Sequence, residues 1–243
     1  MYENFAAVYD KFMSNAPYDE WTNYILEIIK KENIKTNEIL DLGAGSGNIT
    51  SRLVSKGIGV IGVDLSEDML TIAKEKCPDT IFINQNIINL DIDKSFDVII
   101  CVCDTLNYIT DEYDLHLAFE KISSHLNKNG ILIFDLNTEH KFKNIYADNT
   151  FAYSEDDASY IWENFYDDEE RINEYYVEFF VKADNDLYKK YTETHYERAY
   201  SLEDINLAIS NTPLKIQNIY DDTTFNAPKD ESERIFYILR KEK

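Results

Sequence analysis

Short apolar runs recur along the first 135 positions of the chain, and most of them are followed by a helical pattern. The runs occupy positions 39–42, 58–64, 80–84, 95–104 and 130–135. Near-continuous apolar runs of this length are typical of strands that are covered on both faces, as in parallel sheets. Five such strands alternating with helices predict an α/β fold with a doubly wound parallel sheet.

The end of the chain extends this pattern. Ser201-Leu-Glu-Asp204 has the spacing of a capping box and predicts the start of a helix. Residues 214–220 and 234–240 then read as two closing strands. The total predicts a sheet of seven strands.

Between these parts, residues 140–200 change from a helical period to the alternation of strands. Residues 160–166, 175–181 and 188–200 read as an antiparallel meander, with acidic turns at 167–170 and 184–186. The simpler interpretation of this segment is a small satellite sheet that packs an aromatic face on the core. Its position favours a lid, because an insertion after the fifth strand would overhang the edge where that strand ends. The predicted division is therefore N-terminal helices and core over 1–139, an antiparallel β lid over 140–200, and the rest of the core over 201–243.

The first 36 residues are helical in pattern and rich in aromatic side chains. Phe5, Val8, Tyr9 and Phe12 recur at helical spacing, and a second helix is predicted from position 17 or 18. Two interpretations stay open for the aromatic residues, of which packing in the core is the simpler. The other is that they cap a ligand cleft, because aromatic side chains with an O–H or N–H group suit wet pockets. The residues concerned are Tyr9, Tyr18 and Trp21.

The composition narrows the range of partners. The formal net charge is −22, from 46 acidic and 24 basic residues among 243. Such a surface repels phosphate backbones and anionic lipid, so neither nucleic acid nor membrane is an expected partner. The chain shows no apolar run of membrane-spanning length and no signal peptide, and we expect a cytoplasmic protein. The three cysteines, Cys77, Cys101 and Cys103, lack the spacing of common zinc sites and predict neither disulfides nor a metal site.

The glycine-rich turn after the first strand carries the candidate chemistry. Strand, glycine turn and helix together form a layout in which backbone N–H groups can hold an anionic ligand group. The turn reads Asp41-Leu-Gly-Ala-Gly-Ser-Gly47, and its last glycine stands one position earlier than the dinucleotide-binding pattern requires. Asp64 ends the second strand 17 positions after Gly47, close to the offset at which a carboxylate meets a ribose. Ser66 is the predicted N-cap of the next helix, so Asp64 is not needed for that role.

With these residues in hand, the chain resembles the class I S-adenosylmethionine-dependent methyltransferases. The segment from Asp41 to Gly47 is similar to their first motif, and the resemblance runs essentially end to end. It is strongest to a small bacterial family with a β-sheet lid and uncharacterised members, and weaker to the sugar N,N-dimethyltransferases of antibiotic pathways. The shared segments are Phe5-Ala-Ala-Val-Tyr-Asp10, Pro17-Tyr-Asp-Glu-Trp21, Cys103-Asp-Thr-Leu-Asn-Tyr108 and Glu193-Thr-His-Tyr-Glu-Arg198.

The resemblance implies a doubly wound, seven-stranded Rossmann-like sheet in which the last strand runs antiparallel. It also implies S-adenosylmethionine as the cofactor and a small molecule as the methyl acceptor. Asn86 stands where this family usually has an Asp that bonds the adenine amine, and an amide oxygen can accept the same bond. A simple turn role for Asn86 stays open. The cofactor-binding residues implied or predicted are Asp41, Gly43, Ala44, Gly45, Gly47, Asp64, Leu65, Met69, Asn86, Ile87, Cys103, Tyr9, Tyr18 and Trp21.

The acceptor atom is predicted only as nitrogen or oxygen. The chain lacks the Asn/Asp-Pro-Pro-Tyr signature of enzymes that methylate exocyclic or amide nitrogens, which argues against those substrates. A hydroxyl acceptor would need a base, and His195 and Asp104 are the candidates. On an alternating strand His195 shares a face with Tyr191, Glu193 and Glu197, although a structural role for this histidine is the simpler interpretation.

Two other functions stay open from the sequence. One is a nicotinamide-dependent oxidoreductase on a similar sheet, against which the displaced glycine speaks. The other is a cofactor-binding protein without turnover. The acceptor molecule, the biological pathway and the oligomeric state do not follow from the sequence.

Overall fold

The computed structural model describes residues 12–13, 16–183 and 187–242. The predicted first helix and the segment 5–10 lie almost wholly outside the described residues, as does the turn at 184–186. The α-helices are α1 Tyr18–Lys31, α2 Asn48–Ser55, α3 Glu67–Lys76, α4 Glu112–His125 and α5 Leu202–Ala208. The strands are β1 Glu38–Leu42, β2 Gly59–Asp64, β3 Ile81–Asn84, β4 Phe96–Cys101, β5 Leu126–Asn137, β6 Thr150–Ser154, β7 Ala158–Asp167, β8 Ile172–Lys182, β9 Tyr188–Arg198, β10 Leu214–Asp221 and β11 Arg234–Lys241.

Seven strands form the main sheet in the order β10-β11-β5-β4-β1-β2-β3. The pairs among β1 to β5 are parallel, whereas β11 runs antiparallel to both β5 and β10. The predicted α/β fold, a doubly wound seven-stranded Rossmann-like sheet with an antiparallel last strand, is therefore confirmed.

The core lies on both faces of this sheet, because the strands carry apolar side chains on each side. On one face Ile25 and Ile28 of α1 and Leu53 of α2 pack on the sheet. On the other face Phe119 of α4 and Ile205 of α5 do so. Burial on both faces accounts for the continuous apolar runs by which these strands were predicted.

The inserted segment forms a second, antiparallel sheet in the order β6-β7-β8-β9, which we call the lid sheet. Three of its strands match the predicted meander. The short strand β6 was not predicted, because four of its five residues are exposed and its alternation is too short to stand out. A π-helix over Lys141–Tyr146 connects β5 to this sheet.

The fourth strand is shorter than predicted. The apolar pattern continues to Cys103, but β4 ends at Cys101 because Cys103 and Asp104 adopt left-handed backbone angles, with φ of 62° and 54°. Such angles end the extended conformation and turn the chain. The prediction that residues 95–104 form one strand is therefore wrong at its C-terminal end.

Asp41 is a buried carboxyl group within the central strand β1. It is 2% exposed and accepts a hydrogen bond of 2.5 Å from Thr50 Oγ1 on α2. Burial raises the pKa of Asp41 from 3.8 to about 6, although the bond from Thr50 acts in the opposite direction. A raised pKa in the folded state means that this group favours folding at low pH and loses that contribution as the pH rises through 6.

We therefore expect Asp41→Asn to change the pH dependence of stability. Between pH 4 and 7 the unfolding free energy of the wild type should fall relative to the variant by up to about 3 kcal/mol, since each unit of pKa shift corresponds to about 1.4 kcal/mol. Urea unfolding across this range measures the difference. If the unfolding free energies of wild type and Asp41→Asn changed in parallel with pH, the raised pKa of Asp41 would be contradicted.

Candidate active site

A cavity of about 890 Å³ opens at the C-terminal edge of the main sheet. It lies beside the junction of β1 and β4, where the strand order reverses and where ligands of open α/β sheets bind. Its far wall is the inner face of the lid sheet, including Tyr160, Trp162 and Phe179. The volume falls within the range of about 300–1,000 Å³ of small-molecule and cofactor sites.

The glycine turn after β1 forms the floor of the cavity. Gly45 has φ of 52°, and a Cβ atom added there would meet nothing within 4 Å, so it would project into open space. At Gly43 a Cβ atom would collide with the side chain of Thr105, and at Gly47 it would come within 3.0 Å of Ala73. Gly45 is therefore placed for close approach to a ligand, whereas Gly43 and Gly47 permit close packing within the protein.

The amide groups of this turn are already paired within the protein. The N–H groups of Gly43 and Ala44 donate to Val63 O, and that of Gly47 donates to Ala44 O. The N–H of Gly45 donates to the Asp64 carboxylate. The expectation that these amides hold an anionic group is therefore wrong for these four, because the turn uses them to fix its own shape.

Asp64, at the end of β2, lines the cavity. Its Oδ2 accepts from Gly45 N and its Oδ1 from Ser66 N, both at 2.8 Å. Burial raises the pKa of Asp64 against the effect of these bonds. The N–H of Leu65 also hydrogen-bonds this carboxylate, so about one of its four lone-pair sites is left for a ligand. The carboxylate can therefore accept from a ligand hydroxyl group, and its contact with a ribose stays a prediction. Ser66 is confirmed as the N-cap of α3.

Most other predicted cofactor residues border the same cavity. Asn86 accepts a hydrogen bond from Ile88 N through its Oδ1 at 3.1 Å, so it stabilises the local turn. It also lines the cavity. The predicted residues that line the cavity besides Asp64 are Gly43, Gly45, Leu65, Met69, Asn86, Ile87, Cys103 and Trp21. Their contacts with the cofactor stay predictions.

The remaining predicted cofactor residues lie elsewhere. Asp41, Ala44 and Tyr18 border a smaller hollow of about 40 Å³ beneath the glycine turn. Gly47 precedes α2 and packs against α3. Tyr9 lies outside the described residues. The aromatic ring of Tyr18 is buried, at 6% exposure, so for this residue the structure shows the packing role.

The turn after β4 is held by a network that the sequence analysis missed. The carboxylate of Asp135, at the end of β5, accepts from Cys103 N at 2.6 Å and Asp104 N at 3.2 Å. The guanidinium of Arg234 binds both Asp135 and Asp104, the latter at 2.7 Å. Asp104 lines the cavity, but Arg234 already engages one of its oxygens. The arrangement makes Asp104 chiefly an anchor of this turn.

His195 lies on the inner face of β9 and lines the cavity, as its alternation predicted. Its Nε2 is 3.1 Å from Glu193 Oε2, and its ring meets that of Tyr108 edge-on at 5.9 Å. Of the four residues predicted to share this face, His195 and Glu197 border the cavity, whereas Tyr191 and Glu193 do not. A catalytic role for His195 stays a prediction.

A cluster of polar side chains near Asp104 was not among the predicted site residues. Glu197, which is 3% exposed, accepts from Asn137 Nδ2 at 3.2 Å and is hydrogen-bonded to Tyr175. Lys141 Nζ donates to Asn137 Oδ1 at 2.9 Å. All four line the cavity. Burial, followed by the negative charge of Asp104, raises the pKa of Glu197 well above its usual value.

The sequence pattern indicated the position of two residues that the sequence analysis had missed, Asp135 and Arg234. Asp135 follows an apolar strand just as Asp64 does, and carboxyl ends of parallel strands share one edge. Arg234 begins an antiparallel strand, which places it at that same edge. Lys141 carried no comparable signal, because it lies in a π-helix whose register follows from packing.

Within the described residues, no group of three or more His, Cys, Asp and Glu side chains is placed to hold a metal ion. No helix in that part of the chain is both long and apolar enough to span a membrane.

Comparison with known proteins identifies the family. The model of a family described as a methyltransferase domain matches residues 39–130. The chain is 34% identical over its whole length to YqeM of Bacillus subtilis strain 168, a protein named as a methyltransferase, and the match covers 98% of that relative.

Solved structures agree. An S-adenosylmethionine-dependent methyltransferase from Clostridium acetobutylicum is 34% identical, with a TM-score of 0.89 over 100% of this chain and 99% of the other. CalS10 from Micromonospora echinaspora, an amino pentose methyltransferase solved with S-adenosylmethionine bound, has a TM-score of 0.77 at 15% identity, over 98% and 96% of the chains. At that identity CalS10 shows the shared fold alone.

The chain therefore belongs to the S-adenosylmethionine-dependent methyltransferases, and its cofactor is S-adenosylmethionine. This confirms the resemblance and decides against the nicotinamide-dependent alternative. The residues present fit the cofactor, since Gly45 leaves a space that any side chain would fill and the Asp64 carboxylate beside it keeps room for one hydroxyl donor.

We expect Asp64→Ala to weaken binding of S-adenosylmethionine by about 1.5–3 kcal/mol, because hydrogen bonds to a charged group are worth about that much. Isothermal titration calorimetry measures the change. Since Asp64 also holds Gly45 N, the thermal melt of the variant must stay cooperative for the comparison to count. Unchanged affinity in a folded variant would contradict the role of Asp64.

We expect Gly45→Val to abolish cofactor binding, because its side chain would occupy the space above the turn. Gly57→Val is a matched control. Gly57 also has a positive φ, of 83°, and open space where a Cβ atom would stand, but it lies at the far end of α2. Both variants carry the backbone strain, so only Gly45→Val should lose binding in calorimetry. Equal affinities for the two variants would refute the placement of the ligand.

Proposed function

We propose that the methyl acceptor is a small molecule with an N–H or O–H group that binds beneath the lid sheet. The observation that carries this proposal is the two-sided cavity. The cofactor-binding floor is formed by strand ends of the main sheet, whereas the opposite wall is formed by aromatic side chains of the lid sheet. A macromolecular acceptor would need an open approach to the strand ends, and the lid sheet stands in the way.

The lid wall has the chemistry of a small-molecule site. Trp162 contacts the rings of Tyr146 and Tyr175, each at 5.3 Å between centroids. Trp162 Nε1 is buried and has no hydrogen-bond partner among the described residues. A buried donor without a partner is costly, so a polar atom of a bound molecule or of solvent is expected there. Apolar walls with a few such polar groups are typical of sites that orient small ligands.

Charge supports the same class of acceptor. With 46 acidic against 24 basic residues, the chain repels the phosphate groups of nucleic acids. Seven acidic residues and two of Lys and Arg line the cavity within the described part of the chain. The interior of the site is thus as unsuited to polyanions as the surface.

S-adenosylmethionine supplies a methyl group that its positively charged sulfur already activates. The protein's task is therefore to hold the acceptor atom in line with that group and to keep water out. Correct orientation alone is worth up to about 7–11 kcal/mol. For an acceptor that must lose a proton, the cavity offers His195 as the predicted base, with Asp104 held in place by Arg234.

The test is to incubate the protein with S-adenosylmethionine labelled in its methyl group and with a bacterial extract separated by size. We expect the label in the small-molecule fraction, because the lid sheet admits only compact acceptors. A variant with residues 150–197 replaced by a short Gly/Ser linker should bind the cofactor within about tenfold, or 1.4 kcal/mol, of the wild type. It should transfer no label, since water exclusion and alignment are lost.

Label in protein, RNA or DNA fractions would overturn the proposal. So would unimpaired transfer by the variant without the lid sheet.

A further inference from the structure

We propose that Glu197 is a catalytic residue, which binds a protonated amine of the acceptor and takes up the proton that the amine releases. This inference rests on the proposed function, since it assumes a small molecule beneath the lid sheet. It goes further by naming the acceptor class, an amine, and the residue that recognises it.

The position of Glu197 is the first argument. It lies at the C-terminal end of β9, where the lid sheet returns to the main sheet, and it lines the cavity at 3% exposure. Asn137 Nδ2 and the Tyr175 side chain hydrogen-bond its carboxyl group. A carboxylate has about four lone-pair sites, so these two partners leave room for a ligand.

The charge balance around Glu197 is the second argument. The cluster contains three carboxyl groups, those of Asp104, Asp135 and Glu197, and two cations among the described residues, Arg234 and Lys141. Arg234 serves both aspartates, and Lys141 Nζ donates to the neutral amide of Asn137. One carboxyl group is in excess of the cations, and such a buried group holds either a proton or a further positive partner. A protonated amine on the acceptor supplies it.

The proton affinity of Glu197 agrees with this role. The titratable groups that face it are Asp104 from the turn after β4, Lys141 and Tyr146 from the π-helix, Tyr175 from β8 and His195 from its own strand. Burial and Asp104 raise the pKa of Glu197, whereas Lys141 opposes the shift. A raised pKa makes the Glu197 carboxylate a stronger base than a solvent-exposed glutamate.

The aromatic wall favours an amine over a hydroxyl group. The rings of Tyr146, Trp162 and Tyr175 lie within 5.3–6.0 Å of one another beside Glu197. A cation is attracted to the negative faces of such rings, whereas a neutral hydroxyl group lacks this attraction. Carboxylate and rings together therefore select a charged head group.

The proton and electron balance is complete. The ammonium group first gives one proton to the Glu197 carboxylate, which frees the nitrogen lone pair. That pair forms the bond to the methyl carbon, and the carbon–sulfur bond of the donor breaks with its electron pair left on sulfur. The proton on Glu197 then passes to solvent.

The experiment uses the protein saturated with S-adenosylhomocysteine and two probes, benzylammonium and neutral benzyl alcohol. Calorimetry at pH 7, in two buffers of different ionisation enthalpy, gives both affinity and proton release. We expect benzylammonium to bind at least tenfold more tightly and to release up to one proton from the Glu197 carboxyl group. Benzyl alcohol should release none.

Glu197→Gln should weaken benzylammonium binding at least tenfold and abolish the proton release, with benzyl alcohol unaffected. Glu174→Gln is the matched control, because Glu174 alternates with Tyr175 on β8 and does not line the cavity. If Glu197→Gln fails to fold, Tyr175→Phe provides a second variant. It removes one donor to the carboxylate and should weaken benzylammonium binding severalfold.

Equal affinity for the two probes in the wild type would overturn the inference, as would unchanged benzylammonium binding by Glu197→Gln. Failure of both probes to bind would also overturn it. None of these outcomes tests the proposed function itself. The labelling experiment with size-separated extracts tests it independently.

Discussion

The interaction on which the site depends is the contact of Asp135 and Arg234 with the turn after β4. Two consecutive residues without glycine's freedom, Cys103 and Asp104, hold left-handed backbone angles there. Each costs about 1–2 kcal/mol. Hydrogen bonds from their N–H groups to the buried Asp135 carboxylate are worth about 1.5–3 kcal/mol each and offset that cost. Arg234 supplies the countercharge without which the burial of Asp135 would be unfavourable.

This turn also fixes the floor of the cavity. Thr105, which follows it, occupies the space where a side chain at Gly43 would lie. The glycine turn after β1 and the turn after β4 therefore interlock, and a change in one displaces the other. Asp64 completes the floor by binding Gly45 N from β2. Three strand ends thus hold one another in place before any ligand arrives.

The sequence predicted the parts that depend on local pattern. Apolar runs indicated the seven strands and the doubly wound arrangement of the sheet. The glycine spacing, together with Asp64, indicated the residues at the floor of the cavity. It did not predict contacts that join distant elements. Arg234 is 99 residues from Asp135 and 130 from Asp104, and only the antiparallel course of β11 brings it to the same edge. Cys103 and Asp104 were assigned to a strand because an apolar pattern does not report a change in the sign of φ. Glu197 was recognised as part of a polar face, but its burial against Asn137 depends on how the lid sheet folds back.

The connection of the lid sheet to the core fixes the polar side chains that line the cavity near β5 and β9. The lid strands pair with one another and not with the main sheet. Asn107 joins the two where the chain enters and leaves the lid, since its amide donates to Asn137 O and Arg198 O. Lys141 follows the first of these points and Glu197 precedes the second. Both are therefore fixed by the core, whereas the aromatic wall depends on pairing within the lid sheet. Under the proposed function, the rigid sheet edge thus sets the charge that would meet the acceptor, and the lid strands determine which molecular shape would fit beside it.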